Sequence, residues 1–205
     1  MTTDDTARPR QRLSAAKRRE LLVEAATQRF SSTSYHATTM AEIAEAAGVS
    51  AAIVYRHFTS KAELFAACLG REWNLLRERW VDALTSTPVP RDRMMALATT
   101  YLGGGEPSRR LASMWFQAIA ESPNEPLLRA AFEQTLAATH AFVRDVVDGS
   151  RGPSGLDPER VPEVEAWVFL GIGMLAAADM RTGGAMLADL PELHRQRMQW
   201  LVGRA

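Results

Sequence analysis

Between Thr38 and Leu64 the chain reads TTMAEIAEAAGVSAAIVYRHFTSKAEL, and only Gly48, Val49 and Ser50 separate two helical segments there. So short a connection brings the segments together at close range, which requires a small side chain at the crossing and a residue able to make the tight turn. Ala44 supplies the first and Gly48 the second. Thr39-Met-Ala-Glu42 has the form of a capping box, so the spacing predicts a helix that begins at Met40 and ends at Gly48. Ser50 can cap the next helix, and Ser60 with Glu63 forms a second capping box that opens a longer one. Ile43, Ala47, Val49 and Val54 then form an inward wedge. Ser50, Ala51, Ala52, Tyr55 and Arg56 face outward, with His57 at the helix end. A second helix with a free outer face is what entry into a DNA major groove needs, although a small amphipathic hairpin in any helical protein shows the same pattern.

The surroundings are helical throughout. Upstream, Leu21, Leu22, Ala25, Ala26 and Phe30 recur at helical spacing from Ser14 to about Phe30. Downstream, Leu69, Trp73, Leu76, Trp80 and Leu84 form one apolar stripe ending before TSTPVP. Arg91 to Leu102, Ser108 to Ala120, Glu125 to Val147, Pro162 to Arg181 and Leu190 to Val202 also read as helices. The connectors GGGEP, ESPNEP, DGSRGPSG and TGG carry the expected breakers. No strand or internal repeat is expected. Residues 1–13 are polar and aperiodic and read as a flexible arm bearing Arg8, Arg10 and Arg12.

The chain has 205 residues and no net formal charge, but its ends differ. Nine Lys/Arg against six Asp/Glu lie in residues 1–61, and the remainder is acidic by the same margin, so the front end suits a polyanion. The one cysteine, Cys68, has no internal disulfide partner, and no signal peptide is recognised, so a cytoplasmic protein is expected. The longest apolar stretch, Ala166 to Ala178, is shorter than the ~20 residues of a membrane span, so no membrane partner is expected.

Residues 18–64, from RRELLVEAATQRF through TTMAEIAEAAGVSAAIVYRHFTSKAEL, resemble the DNA-binding region of the TetR family of transcriptional regulators. The shared pattern is a TT pair, an IA dipeptide, AGVS, then Y-x-HF-x-x-K-x-x-L. The resemblance implies an all-α fold: a helix-turn-helix domain over residues 14–60, then a larger helical ligand-binding and dimerisation domain over 61–205. It implies double-stranded operator DNA as partner, a homodimer through the last two helices, and a small-molecule effector. Thr38 and Thr39 stand at the start of the second helix, where Thr39 resembles a phosphate contact. Tyr55 and His57 resemble contacts of the recognition helix, and Lys61 a phosphate-binding lysine. Thr39 is equally an N-cap and Lys61 equally a solvated charge. The chain departs from the family at Ser34 and Ala52, where glycine is frequent. Ala51 and Ala52 offer only methyls to thymine, so base readout falls to Ser50, Tyr55, Arg56 or the arginine arm in the minor groove.

All five tryptophans and seven of the nine methionines follow residue 70, a distribution that fits an adaptable apolar cavity as well as an ordinary core. The candidate ligand residues are Trp80, Trp115, Ile119, Phe132, Leu136, His140, Trp167 and Met174. Gly171, Gly173, Ala176, Ala177 and Ala178 allow close helix approach at a dimer interface, and Met198, Trp200 and Leu201 supply apolar area. An enzyme is the competing class. However, His36, His57, His140 and His194 lack metal-ligand spacing, and neither G-x-S-x-G nor a Walker loop occurs, so no metal, catalytic residue or cofactor is expected. A thiol-responsive regulator using Cys68 is the other alternative.

Overall fold

In the computed structural model, residues 14–183 and 188–203 are described, and they form an all-helical bundle. The Arg8, Arg10 and Arg12 arm lies outside the described residues. The helices are α1 (Ala15–Ser32), α2 (Met40–Ala46), α3 (Ala51–His57), α4 (Lys61–Thr85), α5 (Arg93–Leu102), α6 (Gly105–Glu121), α7 (Pro126–Asp148), α8 (Pro162–Arg181) and α9 (Leu190–Leu201), with a 3-10 turn at Pro90–Asp92. The β-structure among the described residues is one isolated bridge, Arg151 to Leu156.

The capping chemistry differs in part from expectation. Thr39 and Glu42 form the full reciprocal box at the start of α2. At α4, Ser60 accepts from the Glu63 amide, but the Glu63 carboxylate turns to the Thr59 amide and hydroxyl, at 2.7 Å each, rather than to Ser60. Ser50 occupies the N-cap position of α3, yet its hydroxyl makes no capping bond, which leaves it free at the surface. Gly48 sits at φ +65°, the left-handed conformation that the tight turn needs.

The 25-residue α4 spans ~38 Å at helical rise and is the spine of the molecule. Its first turns pack under α1, and its later turns lie against α5, α6 and α7. Buried Leu22, Ala26 and Phe30 meet Leu64, Phe65 and Leu69 in one hydrophobic cluster that runs without a break across residue 60. Phe65 stands edge-on to Phe30 and Tyr35 at centroid distances of 5.0 and 5.5 Å. Farther along, Trp80 stacks on Phe142 at 5.5 Å and meets Trp73 and Phe169 edge-on, fixing α7 and α8 to the spine. The connector before α8 holds the end of α9: the Asp157 amide donates to Leu201, and Arg160 donates to the Trp200 carbonyl.

Candidate DNA-binding surface and ligand cavity

At the turn between α2 and α3, Ile43 and Val54 are fully buried, and Ala44 lets the two helices approach. Ser50, Ala52, Tyr55 and Arg56 are exposed, and Ala51 and His57 are partly so. This outer face carries a hydroxyl, a phenol, a guanidinium and two methyls, enough for mixed phosphate and base-edge contacts.

Three candidate contacts have prior engagements. Thr38 is fully buried, and its hydroxyl bonds that of Thr33 at 2.7 Å. Its side chain is therefore a joint between α1 and α2 and not a surface group, which corrects its placement in the DNA-binding set. Thr39 is exposed, but its amide and hydroxyl both donate to Glu42, at 2.8 and 2.9 Å. Those bonds hold the Glu42 carboxyl below the usual range, and Arg29 adds to the effect. A phosphate at Thr39 has to compete with Glu42 for that hydroxyl. Lys61 reaches back across the fold: its Nζ donates to the carbonyls of Tyr35 and Thr38, at 2.7 and 3.0 Å, and lies 4.4 Å from the Tyr35 ring centre. Two of its three ammonium donors brace the α1–α2 connection, leaving one for an external acceptor. Arg19, not singled out from the sequence, packs over the Phe58 ring at 4.5 Å. Helical periodicity places Arg19 on a face but does not show which neighbouring helix it will meet.

The second feature is a narrow apolar cavity, partly open to solvent, among α4, α5, α6 and α8. Of the candidate ligand residues, Trp80, Trp115 and Met174 line it. Leu76, Tyr101, Leu111, Phe169, Leu170 and Gly173 complete most of the wall and were missed. Ile119, Phe132, Leu136, His140 and Trp167 do not line it, and for each there is a packing reason. Phe132 lies behind Trp115, edge-on at 5.6 Å, and Leu136 is packed against the core. His140 bonds the Glu163 carbonyl at 3.0 Å and packs on Trp167, which is 51% exposed on the far side of α8, while Ile119 is 40% exposed on α6. Two of the lining residues carry polar groups: the Tyr101 phenol, its pKa pushed up to about 12 by burial, and the Trp115 Nε1–H, buried without an acceptor among the described residues. As it stands the space is slender and admits only a few waters, so any larger occupant has to part the helices around it.

One cavity wall is also tied to the recognition domain. Gln117, two residues beyond Trp115 on α6, donates to the Phe30 carbonyl at 2.9 Å near the end of α1. Glu121 pairs with His36 at 2.7 Å. The Tyr35 phenol is raised to about 12 by burial, with the Glu125 carboxylate just beyond α6 adding to the effect.

Cys68 is fully buried, and its thiol contacts the Val23 carbonyl at 3.4 Å. Burial pushes its pKa up to about 12. A reactive thiol needs thiolate and access, so the thiol-responsive alternative has no support in this geometry. Among the described residues no cluster of three potential metal ligands occurs, and no helix is long and apolar enough to cross a membrane.

Comparison with known proteins gives a consistent picture. Residues 22–68 match the family model described as "Bacterial regulatory proteins, tetR family", and residues 90–189 match "BetI-type transcriptional repressor, C-terminal". The chain is 35% identical over 151 residues to the HTH-type transcriptional activator FasR of Mycolicibacterium smegmatis, covering 73% of this chain and 66% of that protein. It is 30% identical over 112 residues to the HTH-type transcriptional regulator BetI of Rhizobium meliloti, covering 55% of each. The matched regions thus span less than two thirds of either relative. Two solved structures share the fold. One is the fatty acid degradation regulator FadR from Bacillus halodurans, with TM-score 0.72, 14% identity, and 94% of this chain and 97% of that one covered. The other is a protein from Saccharomonospora viridis in complex with choline, with TM-score 0.76, 20% identity, and 92% and 96% covered.

Proposed function

The chain belongs to the TetR family of bacterial transcriptional regulators, and from that premise we propose that it binds a near-palindromic operator as a homodimer, as a repressor, and is released by an apolar or amphipathic effector. The observation that carries this reading is that α6 lines the cavity with Leu111 and Trp115 and, within two turns, bonds α1 through Gln117 and the α1–α2 connection through Glu121. An occupant that displaces α6 therefore pulls on the frame that orients α3. Coupling of this kind requires the ligand to favour the displaced arrangement, and typical couplings of ~1–3 kcal/mol change affinity ~5–150-fold.

Ser50, Tyr55, Arg56 and His57 are the groups we assign to DNA, with Thr39 and the spare donor of Lys61 at phosphates. The dimer interface is assigned to the outer face of α8, where Val164, Trp167, Gly171 and Leu175 recur at helical spacing and are exposed, extended by exposed Leu193 and Trp200 on α9. Ala176 and Ala177 are buried within the protomer and Gly173 lines the cavity, so these three small residues do not belong to that face.

A cation is a second reading of the effector. Trp80, Tyr101, Trp115 and Phe169 place four aromatic side chains on the cavity wall, as a quaternary ammonium requires, and the S. viridis neighbour is named in complex with choline. No carboxylate lines the cavity among the described residues, and the orphan donor on Trp115 asks for an acceptor, so an oxygen-bearing apolar molecule fits better.

The test begins with genome-wide mapping of DNA bound by the full chain, followed by footprinting of the recovered sites. Symmetric footprints with half-site centres ~10 bp or a multiple apart are expected. Tyr55→Ala should weaken binding with an unchanged melting temperature. Single asymmetric footprints, or a monomer by light scattering at micromolar concentration, would refute the dimer-on-palindrome reading.

A further inference from the structure

Beside the apolar cavity lies a second, open notch, bounded by α6, the end of α8 and Ser31 at the end of α1. Ala112 lines both spaces, so they share a wall. Along α8 the same run of residues passes from Gly173 and Met174 on the cavity to Ala177 and Arg181 on the notch. From Gly173 to Arg181 is eight residues, ~12 Å at helical rise.

The notch is cationic. Arg109, Arg110 and Arg181 line it against one carboxylate, Glu106, which holds Arg109 at 3.0 Å. Arg110 is anchored from behind: its Nε lies 3.5 Å from the buried Glu72 carboxylate, whose other oxygen is held by Arg71 at 2.7 Å. The terminal nitrogens of Arg110 make no hydrogen bond with the described residues. Arg181 makes none either, its one recorded contact being with the Phe116 ring at 5.9 Å. Ser113 also lines the notch. Its hydroxyl oxygen accepts from Gln117 at 3.2 Å, so its proton is free for an acceptor outside. One anchored guanidinium, Arg110, flanked by two exposed ones and a hydroxyl with unused donors among them, forms a receptor for a carboxylate or phosphate.

We propose that the effector is an amphipathic anion whose apolar body enters the cavity and whose carboxylate or phosphate head is held in the notch by Arg109, Arg110, Arg181 and Ser113. This rests on the cavity being the effector site and adds the ligand's charge and length. It also supplies a route to DNA. A head group bonded to Ser113 touches the residue that, through Gln117, is joined to the Phe30 carbonyl of α1.

The test uses three ten-carbon probes below their micelle concentrations: decanoate, decyl phosphate and 1-decanol. Each is titrated into the full-length protein and followed by tryptophan emission, since Trp80 and Trp115 line the cavity. At least one anion should bind tenfold or more tighter than the alcohol, and the preferred anion identifies the head group. The Arg109→Gln/Arg181→Gln double variant changes partly or fully exposed side chains and should melt with wild type. It should bring the anion within about threefold of the alcohol and leave the alcohol's affinity unchanged. Equal affinities of acid and alcohol for wild type, or an anion preference that survives in the double variant, would overturn the proposal. Gly173→Val, whose added Cβ would stand 4.0 Å from the Tyr101 ring, in ordinary contact, carries its two methyls toward the cavity wall and should weaken all three probes. If the probes bind but ignore Gly173→Val, the cavity reading fails, independently of the arginine result. If none binds, the amphipathic-anion proposal fails.

Discussion

The recognition end and the cavity end hang on the same helix, α4, and are built to opposite standards. Around α1–α3 the interior is closed: Phe30, Phe58 and Phe65 are all fully buried, and Phe65 stands edge-on to Phe30 and Tyr35. The cavity end uses larger side chains, yet leaves a slender apolar space between them, partly open to solvent. Polar accounting runs the same way. Among the described residues, every buried side-chain nitrogen or oxygen without a hydrogen bond lies after residue 70 except Arg29 Nε. A surface that must present α3 in one register gains from close packing, whereas a site that must open gains from loose packing and unmet polar groups. The contrast can be tested by injuring each end in the same way.

The largest effect should come from an aromatic deletion. Phe65→Ala removes a fully buried ring from a filled core and should cost about 3–5 kcal/mol in chemical denaturation. Trp115→Ala removes a bulkier ring, but one that already borders a void and carries an orphan N–H, so its cost should be at least about 1 kcal/mol smaller. Equal losses would mean that the cavity end is packed as tightly as the other.

Next come two substitutions that act on the recognition frame without opening a hole. At Gly48 an added Cβ meets nothing within 4 Å, so Gly48→Ala isolates the backbone cost of φ +65°, about 1–2 kcal/mol. Lys61→Ala releases two carbonyls and should cost a similar ~1–2 kcal/mol, with operator affinity falling as well. A Lys61 variant with wild-type stability would show that its ammonium belongs to DNA and not to the α1–α2 connection.

These residues also show where legibility ends. The turn at Gly48, the Thr39–Glu42 box and the inward wedge were readable because each depends on residues within a few positions of one another. Thr38 and Thr39 are chemically identical in the sequence, yet the fold buries Thr38, its hydroxyl on that of Thr33, and leaves Thr39 exposed. Lys61 bonds carbonyls 23 and 26 residues away, which no local pattern encodes. The cavity was legible as a composition and not as a wall. Trp80, Trp115 and Met174 were found, but an apolar face on α7 looks the same whether it borders a gap or fills one, and Phe132 and Leu136 fill one.

The joint between the ends permits a finer comparison. Gln117→Leu keeps the size of the side chain and removes the bond to Phe30. Ligand binding, read by tryptophan emission, should be nearly unchanged, while the ligand's effect on operator affinity should shrink about 5- to 10-fold, ~1 kcal/mol of coupling. If release of DNA by ligand is unaffected, the signal travels by α4 and not by α6.

The smallest expected effect is a pH dependence confined to the loosely built end. His194 on α9 is 7% exposed, and neither ring nitrogen has a partner among the described residues, so burial pushes its pKa below the ordinary histidine value. Glu165 and Arg197 border the same small space, but they pair with each other, and the guanidinium offsets the carboxylate that would otherwise favour a charged imidazole. With the folded pKa depressed, the unfolded chain binds more protons at mildly acidic pH. The stability that neutral His194 contributes is therefore present above the unfolded value near 6.5 and declines as the pH falls below it. Denaturation at pH 7.5 and pH 5.5 should show wild type losing more stability than His194→Gln, whose side chain does not titrate in that range. A slope that stays the same in His194→Gln would mean that the imidazole is hydrated or partnered in solution, and the cavity end would then be less polar-starved than its geometry implies.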